Sequence, residues 1–455
     1  MVNKKNKKVV IVGAGVSGLT VAYKLCEAGF DVTVIEKEKE VGGLARSFYY
    51  NGFTFDIGPH RFHTDDKKVE NFIKDILDNK FNLISRKSGV FIFKKYFNWP
   101  LEKEMLFKVP PLVGLKIAID LIFRTHRKEI SFEDFVLNKY GKTIYEIFFG
   151  PYTKKFVFLD SSKIHRDWGE VGVNRAVIDK RVKVGTTFEL IKNMFLPTPV
   201  KTEFIYPQNG GNAQFSLELK NKILGWGGKI LTNTEIAEIK MKDNLINSVS
   251  VNGGPSLQSD FLIWTAPLGL LLKLLNEDDP IDLEYLSILC FNVMVKTQES
   301  FGYQWCYYGG GDTVFCRVSN LNLFNPKNSP SGRTGLCVEI TSFEKDDNWK
   351  NPKKLIPQLK KDLKKVGLIK SEKDVLDIKV EKIQNVYPRY KVNYRSELKK
   401  ASNLLKKYQN LTTLGRTGNF WYNNMDHSIK QALEFSEHFI KNPLGPKFRI
   451  KDRSL

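Results

Sequence analysis

Gly13, Gly15 and Gly18 stand in the order Gly-x-Gly-x-x-Gly directly after the β-branched run Val9 to Val12. That spacing serves phosphate binding, because a tight turn aims backbone N–H groups and a helix N-terminus at a pyrophosphate. Gly13 would permit the turn, Gly15 would let the backbone approach the phosphates, and Gly18 would let the helix pack close to its strand. Leu19, Ala22, Tyr23, Leu25 and Cys26 recur at helical steps up to Gly29, which predicts that helix and its end. A second strand, Asp31 to Glu36, ends in a carboxylate 23 positions after Gly13, where it can accept hydrogen bonds from a ribose diol and would repel a 2′-phosphate. Strand, glycines, helix, strand and terminal Glu together predict a dinucleotide-binding βαβ unit.

Other side chains invite chemistry less well. His60 and His63 form an HxxH pair, but with no adjacent helix, Glu or Cys they make a poor ligand set, and no metal is expected. Cys26, Cys290, Cys306, Cys316 and Cys337 are odd in number and lack CxxC spacing, which points to free core thiols in a reducing compartment. The basic start Met1 to Lys8 runs into Val9 to Val12, too short an apolar stretch for a signal-peptide core, so a cytoplasmic location is expected.

The elements that must position these residues fit a large two-core chain. At 455 residues it exceeds the size at which one core keeps growing. Lys plus Arg outnumber Asp plus Glu by 71 to 50, a net charge of +21 that would draw acidic ligands, nucleic acid or an anionic membrane face, unless it only reflects Lys favoured at the surface, the reading that the scattered Lys-rich runs Met1 to Lys8 and Lys350 to Lys373 support better. No nucleic-acid motif accompanies it, and no nucleic-acid partner is expected. Helical spacing predicts helices over Phe72 to Leu77 and Phe132 to Phe149. Short strands are expected at Phe204, Gly228, Glu235 to Lys240, Ser248 to Val251, Phe261 to Trp264, Asn292 to Lys296, Thr313 to Val318 and Gly335 to Thr341. The apolar stretches Val109 to Phe123 and Phe261 to Leu275 are broken by Pro or Lys and fall short of a bilayer span. Val109 to Phe123 reads as a buried cap helix; its Lys116, Arg124 and Arg127 would equally suit peripheral contact with a membrane surface.

NAD and FAD share the glycine fingerprint, and a resemblance separates them. Gly42-Gly43 with Arg46 resembles the second signature of the FAD-binding amine oxidase and mutase superfamily, and Gly415-Arg416 followed by helical Ser428 to Ile440 resembles its closing FAD segment. Asp56-Ile-Gly58-Pro59-His60-Arg-Phe62-His63-Thr64 is similar to the Gly-Pro-His-x-Phe-His-Thr stretch of bacterial UDP-galactopyranose mutases. Pro151-Tyr152-Thr153-x-Lys155 and Tyr422-Asn-Asn424-Met425-Asp426 resemble two more of their motifs, and the Tyr387-Pro388 pair a further anchor.

The resemblance implies an α/β fold: a Rossmann-type FAD-binding domain (1–66, 201–270 and 390–455), interleaved with a second α+β substrate domain. That domain would comprise a helical cap (67–200) and a sheet (271–389). It implies non-covalent FAD held by Gly13, Gly15, Gly18, Glu36, Gly43, Arg46, Gly58, His60, Gly415, Arg416 and Met425. The implied reaction is nucleotide-sugar mutation, NDP-hexopyranose to furanose, with the N5 of reduced flavin as nucleophile and no net redox, as in cell-surface polysaccharide biosynthesis. His60, Arg317 and Arg175 would serve catalysis; Tyr152, Arg175, Arg317, Tyr387, Tyr422 and Asn424 would bind substrate, the arginines taking the diphosphate. A reductant such as NAD(P)H would be a further partner; oligomeric state stays open. Two departures concern the substrate. Val157 replaces the Trp that stacks on uracil, with Phe156 and Phe158 facing the other way if the segment is extended, and Asn424 replaces an Asp. The rival reading is a redox flavoenzyme of the protoporphyrinogen oxidase, desaturase or amine oxidase type; a non-catalytic flavoprotein is the third.

Overall fold

The computed structural model describes residues 7–99, 108–123, 127–172, 203–277, 279–296 and 301–443. Its nucleotide half is a five-stranded parallel sheet in the order Leu411–Thr413, Phe261–Trp264, Lys8–Val12, Asp31–Ile35, Lys229–Leu231. Val9, Ile11, Val32 and Val34 are almost wholly buried, as a parallel sheet covered on both faces requires. The helix Val16–Glu27 packs against the helices Ala213–Gly225 and Met425–Lys441. Both ends of the chain therefore build one layered unit, with Phe30, Phe261, Phe435 and Phe439 in contact between sheet and terminal helix.

The second half is a seven-stranded sheet in the order Val375–Pro388, Tyr285–Val295, Thr334–Ser342, Arg317–Asn320, Trp305–Tyr308, Ser88–Ile92, Lys95–Trp99. The last two strands come from the stretch expected to be a helical cap. They form an antiparallel hairpin whose first strand runs parallel to Trp305–Tyr308. Val90 and Phe97 face the core while Phe91 and Lys95 are more open, a period of two that signals a strand and that the helical expectation overlooked. Residues 236–258 make a separate three-stranded antiparallel sheet.

Two local expectations are corrected. The segment around Val157 is not extended: Gly150–Val157 is a helix entered through a π-helical turn, Tyr145–Phe149. Val157 is fully buried, and its carbonyl accepts a 3.0 Å hydrogen bond from Arg389 Nε, so it faces the core rather than a ligand. Phe156 is also buried, while Phe158 is exposed in a left-handed C-cap. The helix Pro111–Ile122 buries only Ile117 and Leu121. Leu112, Leu115, Ile119, Ile122 and Phe123 are 46–75% exposed, so it caps the fold with one face and leaves the other open. Among the described residues no helix is long and apolar enough to cross a membrane, and the five cysteines are free and buried.

Candidate active site

A cavity of about 710 Å³ lies where the strand Lys8–Val12 ends, at the carboxyl edge of the parallel sheet. Neighbours on either side are reached by opposite crossovers, so the crevice opens at the switch point where such sheets bind ligands. Gly15, at the N-cap of Val16–Glu27, offers no side-chain cap, and the helix's first N–H groups remain available to an anion. Gly13 has φ +100°, and a Cβ there would meet Thr265 Oγ1 at 2.4 Å. Gly18 packs on the Gly13 carbonyl, as its role in close packing demands.

The two glycine signatures meet in space. Gly15 bridges to Gly42, and a Cβ on Gly43 would stand 3.0 Å from the Gly15 Cα, so two bare backbones form one cradle. Glu36 is buried at the cavity edge. One carboxylate oxygen accepts from Ala14 N–H at 2.7 Å and the other from Glu38 N–H at 3.0 Å, which fixes the loop and leaves further lone pairs for a diol. Arg46 pairs with Glu38 at 2.8 Å, while its buried Nε has no partner. On the opposite wall Gly415, at φ +77°, lets the chain turn against Ser17, and Met425 starts the helix Met425–Lys441 with its N-terminus on the cavity.

The Gly58 to His63 loop is held from beneath by buried Asp56. Its carboxylate accepts from Ser47 Oγ at 2.5 Å, Tyr206 OH at 2.6 Å and both nitrogens of Asn212, whose side chain also donates to the His60 carbonyl at 2.7 Å. Gly58 is off the cavity wall. Its φ of +64° brings the loop against the next layer, where a Cβ would meet Glu339 Oε1 at 2.6 Å and Arg317 Nη2 at 3.1 Å. His60 donates from Nδ1 to the Ile57 carbonyl, which leaves Nε2 as an acceptor. Burial, with the positive charges of Arg416, Arg317 and Arg61 around it, pushes His60 down to about 3, and burial pushes His63 down to about 4. Both rings are neutral at ordinary pH.

Arg317 reaches the cavity from an inner strand and is already engaged. Nε and Nη2 each donate to Glu339 at 2.6 Å, and Nη2 donates to Tyr387 OH at 2.9 Å. The two residues face each other across paired strands, Arg317 opposite Glu339. Burial alone would lower the guanidinium's pKa, but Glu339 holds it charged. Arg416 donates to the carbonyls of Val386 and Asn423, and its guanidinium lies 4.9 Å over the Tyr387 ring and 4.6 Å over Tyr422. Its Nη2 is buried without a partner. Burial raises the pKa of both tyrosines, so their hydroxyls stay protonated.

The structure thus brings Gly13, Gly15, Glu36, Gly43, Arg46, His60, Arg317, Tyr387, Gly415, Arg416, Tyr422, Asn424 and Met425 to one cavity. Tyr152 is not on its wall; it packs between Phe148 and Phe156 and edge-on to Tyr307, whose ring does line the cavity. Arg175 lies outside the described residues. Asn424 caps the terminal helix by position, without a side-chain cap bond. Arg61, Arg86, Trp305, Tyr307 and Glu339 were not foreseen; Glu339 holds Arg317, and the other four line the cavity. The only hint was a basic residue inside the His60 to His63 stretch, since Arg86 and the Trp305 strand carry no local signature. No group of His, Cys, Asp and Glu able to hold a metal occurs among the described residues.

Comparison with known proteins agrees with this geometry. Residues 11–76 match the NAD(P)-binding Rossmann-like domain family. An L-amino-acid oxidase of Crotalus adamanteus is 40% identical over 88 residues, 19% of this chain and only 17% of the oxidase's length. A Klebsiella pneumoniae protein described as a "probable UDP-galactopyranose mutase" is 22% identical over 457 aligned positions, covering 96% of each chain. The crystal structure of reduced UDP-galactopyranose mutase superposes with a TM-score of 0.81, at 22% identity and 96% coverage of both chains. The chain is thus a mixed α/β protein with a Rossmann-like nucleotide domain, similar in fold over 96% of its length to UDP-galactopyranose mutase.

Proposed function

We propose that the chain is an FAD-dependent nucleotide-sugar mutase, interconverting the pyranose and furanose forms of an NDP-hexose with reduced flavin and no net redox change. One observation carries this reading. The cavity that begins at the Gly15 and Gly43 cradle ends on the guanidiniums of Arg61, Arg86, Arg317 and Arg416, set among Tyr307, Tyr387 and Tyr422. A cationic, hydroxyl-rich floor suits a diphosphate and a sugar and opposes an apolar substrate.

The residues present fit a flavin dinucleotide. The uncapped helix N-terminus and the bare glycine cradle suit its pyrophosphate, Glu36 its ribose, and the partnerless Arg46 Nε a further acceptor. When bound and reduced, the flavin would supply a nucleophilic nitrogen. The chain's own work is orientation: Arg317 is held rigid by Glu339 and Tyr387 with Nη1 left for the diphosphate, and the Tyr422 ring forms part of the cavity wall. Neutral His60 presents an acceptor and no charge. We place the protein in the cytoplasm, with an external reductant such as NAD(P)H keeping the flavin reduced.

The test is anaerobic. The dithionite-reduced protein is incubated with UDP- and dTDP-hexoses and the products are separated by chromatography. Pyranose-to-furanose conversion that requires the reduced flavin is the expected outcome; none across the panel overturns the reading. The 88-residue oxidase match favours a second reading, a redox flavoenzyme. That reading expects bleaching of the oxidised flavin by an amine or apolar substrate, without ring conversion.

A further inference from the structure

The helix Pro111–Ile122 buries only Ile117 and Leu121, and its other face carries side chains that the fold does not cover. Leu112, Leu115, Ile119 and Ile122 follow one another at steps of three and four, so they line up as one stripe, which Phe123 continues. Leu112 and Phe123 are each 75% exposed. Single exposed leucines are ordinary on a protein surface, but a ridge of large apolar side chains marks an interaction site. Positive charge edges this ridge. Lys116 is exposed beside the stripe and makes no ion pair among the described residues, while Asp120, the one acidic residue of the helix, is engaged with Thr143, whose N–H it accepts at 2.5 Å. A hairpin turn at Phe93 and Lys94 lies next to the start of the helix, because Lys95 Nζ donates to the Lys108 carbonyl at 3.2 Å. Phe93, Lys94 and Lys95 are all exposed there.

We propose that this ridge docks the protein on an anionic lipid surface, with the helix Pro111–Ile122 lying in the plane of the headgroups. Its 12 residues reach about 18 Å, too short to cross a bilayer and long enough to seat an apolar stripe in the interface. Charge decides between occupants. A second copy would set this basic edge against the same basic edge, whereas anionic headgroups supply the opposite sign. Lipid also needs no pocket to receive protruding side chains: the leucines and isoleucines enter the acyl boundary while lysine heads stay among the phosphates. The net charge of +21 adds attraction at longer range. The inference is independent of the mutase reading, since it concerns where the protein works and not what it converts.

The experiment sediments the full chain with vesicles, either phosphatidylcholine alone or an equal mixture of phosphatidylcholine and phosphatidylglycerol. Wild type is compared with the double variant Leu112→Ser/Leu115→Ser, with Lys116→Glu, and with Leu245→Ser as a control whose exposed side chain sits on a separate sheet. The mixed vesicles should bind wild type about tenfold better than phosphatidylcholine, and added salt should weaken that binding. The double variant should lose about tenfold or more, Lys116→Glu about tenfold, and Leu245→Ser no more than about twofold. All these substitutions are at exposed positions, so unfolding midpoints should stay at the wild-type value. No binding to the mixed vesicles overturns the proposal. So does binding that survives the double substitution, which would assign it to net charge alone. A dimer in light scattering that the double variant splits overturns it as well, because a second copy would then be the occupant. Should the double variant fold poorly, Leu115→Cys labelled with a polarity-sensitive fluorophore carries the test, since the chain's own five cysteines are buried. Its emission should shift to the blue on mixed vesicles, and an unshifted emission overturns the docking.

Discussion

At the scale of single residues, the site depends on contacts that leave no room for change. Gly58 is the clearest case, since its φ of +64° and the Glu339 carboxylate 2.6 Å from any Cβ exclude a side chain twice. Gly332 has a similar φ of +75° but nothing within 4 Å, so it isolates the backbone term. Gly332→Ala should cost about 1 kcal/mol; Gly58→Ala should cost about 2–3 kcal/mol more by thermal or urea unfolding, and about a hundredfold in turnover, because it displaces Arg317. Equal effects of the two variants would refute the role given to the Gly58 contact. This residue was legible in the sequence only through the resemblance of its motif; the contact that makes it necessary belongs to a strand far along the chain.

The elements show where local pattern suffices and where it fails. The β-branched run Val9 to Val12 and the helical spacing up to Gly29 could be read directly, because a parallel strand and its helix carry their own periods. The segment around Val157 could not: its helix is entered through a π-helical turn and contains Pro151 at its start, so residue type alone misled. Burial on the helix Pro111–Ile122 was also undecided by composition, since apolar residues occur on both faces. Ile117 is 1% exposed and Leu115 59% exposed, so Ile117→Ala should destabilise by about 2–4 kcal/mol and Leu115→Ser by no more than about 0.5 kcal/mol. Denaturant melts of the two variants decide this, and a costly Leu115→Ser would mean that the open face is covered.

For the whole molecule, the cavity is the seam between the two sheets, walled by segments from both ends and the middle of the chain. A flavin bound there ties the strand Leu411–Thr413 and the terminal helix to the first βαβ unit. Stripping it should lower the unfolding midpoint, and refilling at about a thousandfold excess over Kd should restore about 4 kcal/mol. An apo-protein that melts with the holo-protein would show that the cofactor is not held across this seam. The dinucleotide unit, its glycines and Glu36 were determined by the sequence itself, because turn conformation, strand burial and helix packing are constraints on neighbouring residues. Tertiary structure alone decided that Glu339 neutralises Arg317, that Tyr152 stands off the wall, and that Arg61 and Arg86 both lie near the Trp305 ring. Such pairings depend on which strands lie side by side, and no local propensity records that choice.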